Sequence, residues 1–475
     1  MNRFLITLLA FVTALAPARI IAVPEHVSTV AERRSVNLTV YNAGTSLVHD
    51  RRRITLRDGL NQIAWRDVSA NMDATSAILE SLTTPGKIDV VEQNFDYDLL
   101  NPDALLQKYV GHYVTVVHDP RFAGERETRE LAKVLSTNGG IVLQYRNRIE
   151  TELRGHIAYP VGSSTFRDRP TLVLDLESAR QGPETLDLSY MTAGLSWRAD
   201  YIGVMAPDET RMSLTGLVTL TNNSGTSYND ARLQLVAGNV NIAQTAQGSL
   251  YGTLRTIANV TSMRPSQENF LEYHLYTMPH ATDVLDKQTK QLTLLSAHDI
   301  PIHKTLELRG YQNYYTSPTP DLGDRLPIGV YVTFENRGGD LGIPLPGGIV
   351  RIYKNDSGGL SQFAGSDTIQ HTPRNDTVRL NLGQSFDVTA RKRQTDFQHA
   401  SFCSVNSSYE IVLSNAKSIP QTVDVVELIP NQWQILDENL PHKKTSATTA
   451  TWSVPVPADG HATLTYSARV TWCAE

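Results

Sequence analysis

Apolar and polar residues alternate with period two along most of this chain. Near its end, Leu464, Tyr466, Ala468, Val470 and Trp472 fall on one side, and Thr463, Thr465, Ser467, Arg469 and Thr471 on the other. A β-strand with one buried face requires that pattern. The same alternation sets Val36, Leu38 and Val40 against Asn37, Thr39 and Tyr41. It recurs at Met212, Leu214, Val218 and Leu220, at Val330, Val332 and Phe334, and at Tyr409, Ile411 and Leu413. Strands of this set run into Asn42, Asn222-Asn223, Asn336 and Asn415, and Gly44, Gly225 and Gly338 follow three of these sites. Asn and Gly tolerate the left-handed backbone of a turn, so strand-turn-strand units are expected. The pattern predicts a mainly β fold: multiple β-sandwich, immunoglobulin-like domains with a small β-barrel-like module and few short helices.

One helix has a clear start. Asn101 can cap it, Pro102 suits its first position, Asp103 favours the dipole, and Gly111 can end it. Leu105 and Tyr109 then share a face. A second helical stretch is expected over Asp283–Leu295, and a long loop over residues 244–269. These elements place a signal peptide at 1–22, an N-terminal β domain at 23–100, and the helix with the barrel-like module at 101–178. A central β domain follows at 179–325, and a C-terminal β-sandwich at 326–475.

The first residues change the picture from fold to compartment. Arg3 precedes an apolar run from Phe4 to Ala16, the n-region and h-region of a secretory signal. The run is too short to span a bilayer, which takes about 20 apolar residues. Small residues allow a cut after Ala18 or after Ala22. A periplasmic or secreted protein is expected, with no membrane span after cleavage. The formal net charge is −6, and removal of Arg3 and Arg19 makes the remaining chain more acidic. With no long basic stripe, nucleic-acid binding is disfavoured. The short runs Arg51-Arg52-Arg53 and Arg391-Lys392-Arg393 read as solvated strand faces.

Export also gives meaning to the two cysteines, Cys403 and Cys473. In an oxidising compartment an even pair in one region reads as a disulfide, with two unpaired thiols as the alternative. Closing such a loop contributes roughly 4 kcal/mol on the chain-entropy model. No His stands at ligand spacing from either Cys, so no metal site is assigned there.

Motifs for catalysis are missing: there is no zinc-binding His pair on a helix, no nucleophile elbow, no phosphate loop and no dinucleotide fingerprint. No catalytic residue and no cofactor is assigned. His274, His280, His298 and His303 cluster in sequence, but their spacings are wide and they read as ordinary polar histidines. Glu92, Asp96 and Asp98 alternate on a strand without the Gly-containing loop a calcium site needs. Tyr311, Tyr314 and Tyr315, interleaved with Gln312 and Asn313, are the candidate ligand-binding residues, since rings and amides can stack on and hydrogen-bond a sugar. Packing at a domain junction is the alternative role for these tyrosines. Trp197 reads as core.

Several stretches carry a resemblance. They include Val90–Leu100 (VVEQNFDYDLL), Gly194–Tyr201 (GLSWRADY), Thr219–Tyr228 (TLTNNSGTSY), Leu233–Gly238, Glu272–Tyr276, Lys287–Gln291, Gln394–Phe397 and Val454–Gly460. Together they resemble the bacterial family called domain of unknown function 4139, whose domain is shared with mucoidy-inhibitor proteins. The resemblance implies a β-rich, exported envelope protein and carries no catalytic residues with it. The chain departs from mucoidy inhibitors in having short strands where those have a long charged coiled coil. The expectation is therefore a non-enzymatic envelope protein that presents β-sandwich surfaces to a protein or polysaccharide partner. A secreted hydrolase with an acidic or His-based site, and a chaperone-like assembly module, are the alternatives.

Overall fold

The structure is a computed structural model that describes residues 23–97, 99–119, 126–160, 167–238, 266–270, 273–319 and 321–473. The expected signal peptide, Asp98 and most of the expected loop at 244–269 lie outside the described residues. The last four residues of that loop are not loop: they belong to the strand Ser266–Phe270, paired with Tyr273–Thr277.

The fold is mainly β. Two compact units are built from interleaved stretches of chain: one from residues up to Val36 with Val48–Thr192, the other from Asn37–Leu47 with the chain from Ala193 onward. In the first unit, the strand Gly59–Arg66 pairs in parallel with Glu25–Ser28 and antiparallel with Thr171–Ser178, which in turn pairs with Ile88–Asp96. A second sheet of this unit holds five short strands in the order Ile149–Glu150, Val142–Gln144, Thr128–Ser136, Tyr113–His118, His156–Ala158. It is open, where a barrel-like module was expected. Its core is Val114, Val116, Ala132, Val134, Leu143 and Tyr145.

The helix at Pro102–Lys108 forms with its expected cap: the Asn101 side chain accepts from the Ala104 N–H at 2.9 Å. Leu106 and Tyr109 pack on the small sheet's core, so the helix turns Leu106 inward rather than Leu105.

The second unit holds two larger sheets. One runs Gln288–Pro301, Arg211–Asn222, Leu195–Met205, Gly348–Asn355, Ser361–Ile369. The other has nine strands, with Leu326–Glu335 at its centre and Thr377–Ser401, Ser404–Asn415 and Gly460–Thr471 side by side toward one edge. Its core includes Tyr315, Tyr409, Ile411, Leu413, Trp452, Leu464 and Tyr466. The alternation read from sequence is realised here: Leu464, Tyr466, Ala468 and Val470 are buried, while Trp472, just past the strand, is exposed. The disulfide Cys403–Cys473 forms with Cα atoms 5.4 Å apart, beside the pairing of Ser404 with Thr471.

Two expectations are corrected. Asp283–Leu295 is not helical: Thr282–Val284 and Gln288–Pro301 are strands, the latter paired with Arg211–Asn222. Thr289, Gln291 and Thr293 alternate with Lys290, Leu292 and Leu294, and the pairing partner made that period decisive. The basic runs are not solvated throughout either. A strand sends alternate residues to opposite faces, so the middle residue of each run points inward. Arg52 and Lys392 are both buried.

Each of those inward cations meets a carboxylate. Arg52 binds Asp50 at 2.7 Å and the carbonyls of Ser28 and Arg66 at 2.8 and 2.6 Å. Arg33 and the Trp65 indole N–H also donate to Asp50. Burial pushes the Asp50 carboxyl up, but Arg52 and Arg33 outweigh it and hold the group below its ordinary value.

Candidate functional site

The short 3-10 turn Gln312–Tyr315 separates the three candidate tyrosines. Tyr311 stays 60% exposed, Tyr314 packs against the core while partly exposed, and Tyr315 is fully buried. Tyr311 and Tyr314 meet edge to face with centroids 5.7 Å apart. Tyr315 therefore offers no face to a ligand, because its phenol is spent inside the sheet.

That phenol belongs to a sealed polar cluster. Tyr315 Oη donates to Glu427 Oε2 at 2.9 Å and lies 2.8 Å from Tyr466 Oη. Lys392 Nζ donates to Glu427 Oε1 at 2.6 Å and sits 4.7 and 4.9 Å from the ring centroids of Tyr314 and Tyr409. Tyr409 Oη donates to the Tyr314 carbonyl at 2.6 Å, and Gln394 Nε2 donates to the same carbonyl at 3.1 Å. A Cβ on Gly310 would collide with the Glu427 carboxylate, so only glycine fits there. Burial lowers the Lys392 amine below its ordinary value against the pull of Glu427. Burial, reinforced by Glu427, raises Tyr315 and Tyr466 well above theirs, and Tyr409 to about 12. Lys392, Glu427, Tyr315, Tyr409 and Tyr466 are all buried, so the cluster cannot receive a substrate. It is a polar core whose groups satisfy one another.

Open space lies elsewhere in the second unit, along the outermost strand of the five-stranded sheet, Gln288–Pro301. A groove of about 600 Å³ is lined by residues 297–303 together with Phe334, Glu335, Arg337 and Asp340. A second, of about 500 Å³, is lined by residues 292–296 together with Met278, His280, Leu341 and Ile343. Gly339, Asp340 and Leu341 wall both grooves. Consecutive residues of the strand line this cleft. The strand is the last in its sheet, and register shifts at Leu294 and at His298–Asp299 let neighbouring residues reach the same cleft.

Asn336 fixes the shared wall. It is fully buried, and its Nδ2 donates to the Ile343 and Pro373 carbonyls at 2.7 and 2.9 Å while Oδ1 accepts from the Gly342 N–H at 3.1 Å. The bracketed loop carries Gly338, Gly339 and Gly342 at positive φ, a left-handed backbone that glycine adopts without strain. The same device recurs at two other strand ends. Asn222 donates to the Thr226 and Val284 carbonyls, and Asn415 to those of Ile419 and Pro457. In both, Oδ1 accepts the N–H two residues on.

The cleft has an ionic half and an apolar half. In the first, Asp299 pairs with Arg211 and Glu335 with Arg337. His298 lies within hydrogen-bond reach of Ser213 and Ser296. In the second, Met278, Leu292, Leu294, Leu341 and Ile343 dominate.

A family model for a domain of unknown function, DUF4139, matches residues 186–474. The chain belongs to this family. No curated protein matches it. The DUF4139 region contains the sealed cluster, the disulfide, the three Asn-pinned turns and the cleft. It also holds the four histidines weighed as ligands. Two of them, His298 and His303, line the ionic half, and His280 lines the apolar half. Among the described residues, no three His, Cys, Asp or Glu side chains converge to hold a metal ion. Outside the family region, Asp96 is bound by Arg167 and Glu92 accepts from Asn94. Sequence reasoning missed the cleft because its principal strand was read as helix. The usable signal was the alternation from Thr289 to Leu294.

Proposed function

We propose that this member of the DUF4139 family is exported and acts as a non-enzymatic envelope protein, periplasmic or secreted, that binds a protein or polysaccharide partner. The cleft along Gln288–Pro301 carries this reading. It is the place where an extended surface, a structured wall and both polar and apolar lining come together. The pairing of Asp299 and Glu335 with their own arginines supports binding over hydrolysis, since each carboxylate is already engaged by a guanidinium. The n-region and h-region at residues 3–16 and the formed disulfide support export.

The test uses the chain purified without residues 1–22, on a glycan array and in pull-downs from envelope extract. The comparison is a variant carrying T293R and S296R, two exposed positions that line the cleft. Specific capture of a glycan or protein that the double variant loses is the expected result. Capture of neither, or capture unchanged in the variant, overturns the reading.

A further inference from the structure

We propose that the outward face of the sheet running from Gln288–Pro301 to Ser361–Ile369 binds an acidic polysaccharide, with a uronate carboxylate on Arg198 and Arg351 and a neighbouring sugar ring on Tyr353 and Phe363. This surface lies beyond the cleft and meets it only at Gln288–Pro301.

The pairing register builds the face in rows. Ser296, Thr215, Ile202, Arg351 and Ser366 stand abreast across all the strands of this sheet, each directly opposite the next. Opposed residues project from the same side of a sheet, and so do residues two apart along a strand. Thr289, Thr221 and Ser196 make a further row, in which the Thr289 and Thr221 hydroxyls lie 3.2 Å apart. The outward positions of these strands carry no Lys and no Glu. Hydroxyls take their place, and short side chains lose less rotamer freedom on binding than Lys or Glu. Such a face hydrogen-bonds a hydroxyl-rich ligand at low entropic cost.

Charge and rings narrow the ligand further. Two aspartates reach this face. Asp299 pairs with Arg211, but Asp200 is shared by Arg198 and Arg351, which leaves one positive charge over. The Asp200 carboxylate is covered, while the Arg198 side chain is 64% exposed and that of Arg351 37%. Arg198 reaches Asp200 through Nε at 3.1 Å and Arg351 through Nη1 at 3.0 Å, so each keeps further N–H groups for a second carboxylate. Two residues on from Arg351, roughly 6.6 Å along the strand, Tyr353 meets Phe363 edge to face with centroids 5.7 Å apart. Phe363 is 59% exposed, and Val204 stands directly opposite Tyr353. These side chains form an apolar seat for the C–H face of a sugar ring. A single surplus charge is too little for a nucleic-acid backbone.

The test is fluorescence anisotropy with the chain lacking residues 1–22 and a labelled oligogalacturonate. The control is the same oligomer with its carboxylates methyl-esterified, which keeps the rings and removes the charge. The acid should bind at least tenfold more tightly than the ester. Arg198→Gln and Phe363→Ala, at exposed positions that line neither groove, should each weaken it severalfold with an unchanged melting temperature. No binding by the acid, equal binding of acid and ester, or binding indifferent to Phe363→Ala overturns the proposal. If a partner is captured in the T293R/S296R comparison while the oligogalacturonate fails, the cleft reading stands and the polysaccharide face falls.

Discussion

Lys392 and Arg52 show why a side chain's role depends on its face and not on its neighbours in sequence. Each sits between two cations in a run of three, and each is buried against a carboxylate, Glu427 or Asp50. Breaking such a pair leaves a buried charge alone, which costs about 3–5 kcal/mol. Glu427→Gln should therefore lower the unfolding free energy by that order, and the denaturation midpoint with it. The double variant Lys392→Met/Glu427→Leu should lose less than Glu427→Leu alone, because it strands no charge. Equilibrium urea unfolding of the three proteins measures the difference. Asn415→Asp should cost about 3 kcal/mol or more, since a carboxylate would face the Ile419 and Pro457 carbonyls with no proton to give. The tyrosines set the alkaline limit. Burial holds Tyr201, Tyr276, Tyr315, Tyr409 and Tyr466 above the ordinary phenol value of 10.0. The folded chain keeps these protons where the unfolded chain loses them. Their contribution is complete below pH 10 and is lost as pH rises through the folded values. Lys392, lowered from 10.5, acts in the opposite sense between its folded value and 10.5, but it is one group against five. The melting temperature should fall steeply above pH 10, with phenolate absorbance from these five appearing only on unfolding.

At the scale of elements, strands with one wet face were legible and those needing a partner to declare themselves were not. Ser404–Asn415 and Gly460–Thr471 alternate cleanly because one side faces the core. The helix at Pro102–Lys108 was legible from Asn101 and Pro102, since caps are local chemistry. Gln288–Pro301 was not, because Lys, Gln and Leu favour helix and only pairing with Arg211–Asn222 overrides them. The recurrent asparagines were visible as strand ends. That Asn222, Asn336 and Asn415 each tie two separate carbonyls together was not, since Val284, Pro373 and Pro457 lie far along the chain. The disulfide joins the turn before Ser404 to the end of the last strand. Cys403→Ser should lower the melting temperature under oxidising conditions, by up to roughly 4 kcal/mol in stability, and a reductant should abolish the difference. Calorimetry of both proteins with and without reductant decides it.

At the scale of the molecule, the mainly β architecture and the DUF4139 family were both legible, the first from period two and the second from stretches such as Ser196–Tyr201 and Thr221–Gly225. The division into units was harder to read because each is assembled from separated stretches, with Asn37–Leu47 belonging to the later one. Of the candidate site, the sequence exposed the histidines and tyrosines but not which of them meet open space. His298 and His303 line the cleft while Tyr315 is sealed, and only the sheet order decides that. The proposal that this protein works by binding through one edge cleft is tested most directly by amide hydrogen exchange, with and without the partner it captures from the envelope. The account predicts slowed exchange concentrated in residues 292–302 and 338–341. Slowed exchange centred on Tyr311–Tyr315 or on residues 23–192, with 292–302 unchanged, would contradict it.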